Sequence, residues 1–166
     1  MALNYPDKAA AVSALAALLE QRQWTMVTAE SCTGGMIASA CTDRAGSSAW
    51  FEGGIVSYSN QLKRNLLAVS AETLQTHGAV SEQTAAAMAH GAIACSEAQV
   101  SVATTGIAGP SGAVDGKPVG TVCFGYRIAG QLHTETHYFS GTREQVREAA
   151  TLHALNRVIT YLQRVE

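Results

Sequence analysis

The chain has 166 residues, 47% of them hydrophobic and 14% charged, with a formal net charge of −2. That balance suits one domain with a real core and excludes a disordered chain, and the slight acidity with scattered lysines and arginines argues against broad binding to nucleic acid. No apolar run approaches the roughly 18 residues of a membrane span, and "MALNYPDKAA" lacks a basic region followed by an apolar core, so neither membrane insertion nor a secretory signal is expected.

Pro6-Asp7 followed by Val12, Leu15, Ala16, Leu18 and Leu19 predicts an opening amphipathic helix. "TMVTA" (25–29) reads as a buried strand and "GGMIASACT" (34–42) as a helix on it. "FEGGIVSYS" (51–59) predicts a second strand, "NQLKRNLLAV" (60–69) a short helix and "SAETLQTHG" (70–78) another, stopped by Gly78. Ser81 is placed to cap the Ala-rich helix 82–98, whose weak charge suits either core packing or a protomer interface. "QVSVATTGIAG" (99–109) is a strand running into a glycine loop, and 120–129 with 131–140 form a hairpin turning at Ala129-Gly130. Thr142 with Gln145 forms a capping box that opens a last helix reaching residue 162. Strands alternate with helices early and pair late, which predicts an α/β domain, a three-layer α/β/α arrangement on a mixed sheet.

Three glycine-bearing or polar segments follow predicted strands: 30–35, 58–63 and 104–120. In α/β domains ligands collect at the carboxyl ends of strands, so these segments are expected to converge. Ser31, at a strand-to-helix turn, is the candidate nucleophile, and Lys63 a candidate base if desolvation lowers its pKa. Tyr58 is placed to relay or orient a proton. On spacing alone the alternatives stay open: a turn serine, a solvated lysine and a half-buried tyrosine. Arg143 and Arg147 stand four apart in the first turns of the last helix, against the macrodipole, which suits an anionic ligand or surface pairing with Glu144 and Glu148. "GAVDGKP" fails as a P-loop, because its first glycine is one residue too close and Pro118 replaces the needed hydroxyl residue. His133, Glu135 and His137 share a strand face with metal-like spacing, but a solvated face is the expectation and no metal is assigned. The cysteines at 32, 41, 95 and 123 form no CxxC pair; free thiols in a reducing cytoplasm are expected, with Cys41, Cys95 and Cys123 as small apolar filler.

Taken together, "TAESCTGG", "GSSAWFEGGIVSYSNQLK", "HGAVSEQTA", "TGIAGPSG", "KPVGTV" and "FSGTREQVR" resemble the carboxy-terminal domain family of CinA over nearly the whole chain. Its stand-alone members include the PncC-type nicotinamide mononucleotide deamidases. The resemblance implies a hydrolase that converts the carboxamide of nicotinamide mononucleotide to the acid and ammonia, without a cofactor. It places the family's serine, tyrosine and lysine on Ser31, Tyr58 and Lys63. The implied substrate-binding set is Thr33, Gly34, Gly35, Ser48, Thr105, Gly106, Arg143 and Arg147, with Gly109 in the same "GIAGP" loop. Thr33-Gly34-Gly35 at the helix start and either arginine are expected to hold the 5′-phosphate. The chain departs from the family at Ala113, where a second glycine is common. At this length the amino-terminal domain of larger members is expected to be absent, and a homo-oligomer, first of all a dimer, is expected. Alternatives are a non-catalytic relative that binds a pyridine nucleotide or protein partner, and an amidase for a related pyridine compound lacking the phosphate.

Overall fold

The computed structural model describes residues 4–166. In chain order the elements are α1 (Lys8–Arg22), β1 (Met26–Glu30), α2 (Met36–Thr42), a single 3-10 turn (Ser47–Ala49), β2 (Phe51–Val56), α3 (Asn60–Leu67), α4 (Ala71–His77), α5 (Glu82–Ala94), β3 (Val100–Gly106), β4 (Thr121–Ile128), β5 (Gln131–Tyr138) and α6 (Arg143–Leu162). Polar caps set most helix starts. Asp7, Ser59, Ser70, Ser81 and Thr142 each accept from a backbone N–H in the first turn, a contact typically worth about 1 kcal/mol. At Thr142 the reciprocal bond, from Thr142 N–H to Gln145 Oε1 (2.8 Å), completes the capping box.

The five strands form one mixed sheet in the order β2-β1-β3-β4-β5. β1 pairs in parallel with both β2 and β3, while β3–β4 and β4–β5 are antiparallel. The last pair is closed by Ala129 (φ 49) and Gly130 (φ 84), the two left-handed residues of a tight hairpin. Side chains alternate across the sheet. Met26, Val100 and Val102 join a core under α1, α2 and α6, whereas Val27, Ala29 and Ala103 face a second core under α3 and α5. The result is the expected α/β architecture with helices on both faces.

The Ala-rich helix α5 buries Thr84, Ala85, Met88, Ala89, Gly91 and Ala92, so its small residues serve core packing. A Cβ at Gly125 would run into the Ala85 carbonyl; glycine there lets α5 lie close on β4. Two expectations are corrected. Cys95 is exposed at the end of α5 rather than filling the core. The β5 face carrying His133 and Glu135 is half-buried against α6: Glu135 pairs with His153 (2.8 Å) and accepts from Tyr126 Oη (3.0 Å) and Arg157 Nε (3.2 Å), while His133 stacks on Tyr161 at 4.0 Å. Among the described residues no group of three His, Cys, Asp or Glu is placed to hold a metal ion, and no helix is long and apolar enough to cross a membrane.

Because β1, β2 and β3 run the same way, their carboxyl ends lie together. Ser31 follows β1, Ser57 and Tyr58 follow β2, and Thr105 and Gly106 end β3. Ser48 does not join them. It sits in the 3-10 turn ahead of β2, where the Trp50 carbonyl accepts from Met26 N–H (2.8 Å) at the amino end of β1, so the length of the sheet separates it from Ser31.

Candidate active site

The turn after β1 is built around Glu30. Ser31 N–H donates to Thr104 O (2.9 Å) and Gly34 N–H to Ser31 O (3.0 Å), closing a tight turn through Gly34 (φ 58) and Gly35 (φ 100). Only glycine takes these left-handed angles without strain. The Glu30 side chain, fully buried, then folds forward under the turn. It accepts from Thr33 Oγ1 (2.7 Å), Thr28 Oγ1 (3.2 Å), Ile37 N–H (2.9 Å) and Ala38 N–H (3.0 Å). The other early N–H groups of α2 are also taken, Met36 by Thr33 O (3.0 Å) and Ser39 by Gly35 O (2.8 Å). Of the donors that a phosphate cradle at Thr33-Gly34-Gly35 would use, the Thr33 hydroxyl and the Ile37 and Ala38 N–H groups go to the Glu30 side chain and Gly34 N–H goes to Ser31 O.

Lys63 is the second element. Capping by Ser59 starts α3 so that Lys63, on its inner face, is 1% exposed. Its Nζ lies 3.0 Å from Ser31 Oγ, 3.0 Å from Ser57 O and 3.0 Å from Tyr58 O. Those three partners fit either protonation state. As an ammonium the group donates to all three, and Ser31 Oγ turns toward Tyr58 O at 3.4 Å. As a neutral amine it donates to the two carbonyls and offers its lone pair to the Ser31 hydroxyl, the arrangement a general base requires. Desolvation pushes the Lys63 pKa down from its usual value, opposed only by the neighbouring Cys32 thiol if that were charged. It is not. Burial pushes the Cys32 thiol up to about 12, so it stays protonated.

Arg143 and Arg147 of α6 both reach this turn and its neighbouring loop, and neither pairs with Glu144 or Glu148. Arg147 Nε and Nη2 donate to Cys32 O (3.1 Å) and Thr33 O (3.4 Å), clamping the turn after β1. Arg143 donates to Gly109 O (2.7 Å) and to Tyr58 Oη (3.2 Å). The phenol of Tyr58 thus meets Arg143, while the main-chain carbonyl of the same residue meets Lys63 and Ser31. The Thr105 hydroxyl donates to Ala79 O (2.7 Å), holding the loop before α5 against the end of β3. Ser31, Tyr58, Lys63, Thr105, Gly106 and Arg143 line one cavity of about 240 Å³. A larger groove of about 720 Å³ between α5 and β5 shares Val80 with it but contains no nucleophile–base pair.

A family model described as the CinA C-terminal domain matches residues 8–162. The chain belongs to the CinA C-terminal domain family. It is 51% identical over 138 residues to the nicotinamide-nucleotide amidohydrolase PncC of Escherichia coli K12, covering 82% of this chain and 84% of that protein. It is 52% identical over 150 residues to a CinA-like protein of Mycolicibacterium gilvum, covering 88% of this chain but only 35% of that longer relative. The fold is similar to the crystal structure of competence damage-inducible protein A (ComA) from Klebsiella pneumoniae, with a TM-score of 0.94 at 38% identity over 96% of this chain and 99% of that one.

Within this CinA domain the departure at Ala113 is accommodated. The 110–117 loop places its left-handed angles at Gly112 (φ 100) and Gly116 (φ 76), and Ala113 needs none. Sequence reasoning missed Glu30 and Ala79. A glutamate ending an apolar run reads as the polar edge of a strand, and its four donors lie in β1, the turn and α2, at no spacing that a known motif marks.

Proposed function

We propose that this protein hydrolyses the carboxamide of nicotinamide mononucleotide to nicotinic acid mononucleotide and ammonia, with Ser31 as nucleophile and Lys63 as its base. The observation that carries the reading is the buried Lys63 Nζ, 3.0 Å from Ser31 Oγ with its pKa pushed down, at the joined carboxyl ends of three parallel strands. The PncC relative at 51% identity supports the choice of substrate.

The Ser31 proton passes to Lys63 Nζ as Oγ bonds to the carboxamide carbon. Lys63 returns that proton to the amide nitrogen, the C–N bond breaks and ammonia leaves an acyl ester on Ser31. Water then gives a proton to Lys63 and attacks the ester carbon, and Lys63 restores the serine hydroxyl as the acid departs. The Cys32 N–H follows the nucleophile directly and has no carbonyl partner, which suits it to the developing oxyanion; a donor of this kind contributes about 3 kcal/mol in other hydrolases.

The cavity of about 240 Å³ lies below the roughly 300–1,000 Å³ that encloses a whole ligand of this class. It therefore takes the pyridine carboxamide and leaves ribose and phosphate at the mouth, beside exposed Arg143. Arg147, spent on two carbonyls, holds the turn. Tyr58 shapes the rim and is not in the proton path, since its phenol bonds Arg143. Four free cysteines support a cytoplasmic setting. A homodimer is the proposed assembly, and a monomeric mass by light scattering refutes it. The test of the function is product analysis: equimolar ammonia and nicotinic acid mononucleotide from nicotinamide mononucleotide, with chelator present. Ligand binding without product would move the protein to the non-catalytic alternative.

A further inference from the structure

We infer that Glu30 is the positioning residue that holds nucleophile and base in register. This rests on the Ser31–Lys63 reading above, and it extends that reading to a residue outside the reacting pair. Glu30 is 0% exposed and, among the described residues, no lysine, arginine or histidine pairs with it. A buried carboxylate without a cation is tolerated only when its oxygens are saturated by donors, and here each oxygen has one hydroxyl and one backbone N–H. A helix start needs no such device. A serine or aspartate cap would serve, yet the cap position of α2 is Gly35, which makes no side-chain bond. The capping group instead comes from the residue immediately before the nucleophile, so the segment from Glu30 to Ala38 closes into a ring with Ser31 inside it.

The same residue also reaches the base. The Glu30 carbonyl accepts from Ser57 N–H (2.9 Å), and the Ser57 carbonyl in turn accepts from Lys63 Nζ (3.0 Å). A third tie runs to β3, where Thr104 Oγ1 bonds Thr33 Oγ1 (2.7 Å) while Thr104 O holds Ser31 N–H (2.9 Å). Main chain and side chain of one residue thus fix both ends of the 3.0 Å Ser31–Lys63 contact.

The experiment is Glu30→Gln, which keeps the shape but puts an N–H where two donors now converge. With folding verified by circular dichroism at the assay temperature, kcat for ammonia release falls about 10- to 100-fold while KM stays within about threefold, as expected for a displaced nucleophile. The midpoint of the rise of kcat/KM with pH, set by Lys63, does not move. Inactivation of Ser31 by a small phosphonofluoridate slows by a similar factor. Native kcat overturns the inference. So does a shifted midpoint, which would make Glu30 an electrostatic partner of Lys63 instead of a positioning group. Where Glu30→Gln does not fold, Thr33→Val removes a single donor and is expected to give the same pattern at smaller size; an unchanged kcat there overturns the inference too. The reagent needs no nucleotide. A native protein inert toward nicotinamide mononucleotide would sink the proposed substrate, while the labelling rates would still decide the role of Glu30.

Discussion

Replacing Lys63 by methionine separates its two duties. The side chain keeps its length, but Nζ no longer bonds Ser57 O, Tyr58 O or Ser31 Oγ. Each buried carbonyl left without a donor costs roughly 1–3 kcal/mol, and relief of the amine's own desolvation offsets part of this. A net loss of about 1–3 kcal/mol follows, and for a chain of this size Tm falls about 2–4 °C per kcal/mol. Catalysis loses its base, worth about 10²–10⁴ in kcat. The pH dependence supplies a sharper signature. The folded-state pKa of Lys63 lies below its usual 10.5, so between those two values the unfolded chain binds a proton that the folded chain does not. Stability therefore rises with pH across that window in the native protein, and below the folded value the full cost of burying the ammonium is present. Lys63→Met lacks this rise. Urea unfolding of both proteins from pH 7 to 10 should show the native protein gaining stability relative to the variant. Parallel curves, or a variant retaining more than about a tenth of native kcat, would refute the assignment of Lys63 as a buried base.

Three further outcomes are expected. Arg143→Ala should raise KM for nicotinamide mononucleotide about 10- to 100-fold, the worth of a charge-assisted hydrogen bond, and leave the phosphate-free riboside unaffected; equal losses on both substrates would remove the phosphate from Arg143. Tyr58→Phe should keep kcat within about threefold, because the phenol makes only an exposed bond to Arg143, and a much larger fall would put Tyr58 back in the proton path. Iodoacetamide at pH 8 should label exposed Cys95 without loss of activity, because Cys32 is buried with its thiol pushed up to about 12; inactivation that tracks modification of Cys32 would contradict this.

Much of the fold is legible because its signals are local. Ser81 and Thr142 cap helices where their spacing says they should, and Ala129-Gly130 turns the hairpin. The convergence of Ser31, Lys63 and Thr105 follows from strand direction, which alternation of strands and helices implies. Orientation and long-range partners are not legible. Ser48 travels with "GSSAWFEGG" in sequence, yet in a parallel sheet the residues before a strand end up opposite those after it. Thr33-Gly34-Gly35 has the look of an anion turn, but the Thr33 hydroxyl and the Ile37 and Ala38 N–H groups that follow go to the Glu30 side chain, and nothing in the spacing shows that this side chain folds forward. The His133–Glu135 face reads as solvated because α6, which covers it, comes later in the chain with no marker of where it docks.

The central claim is that Ser31 performs the attack, and Ser31→Ala tests it most directly. With nicotinamide mononucleotide binding measured calorimetrically alongside, the account predicts intact binding and ammonia release reduced by at least about 10³-fold, the scale of losing an activated nucleophile. Release within tenfold of the native rate, with the ligand still bound, would contradict it and return the turn after β1 to a purely structural role.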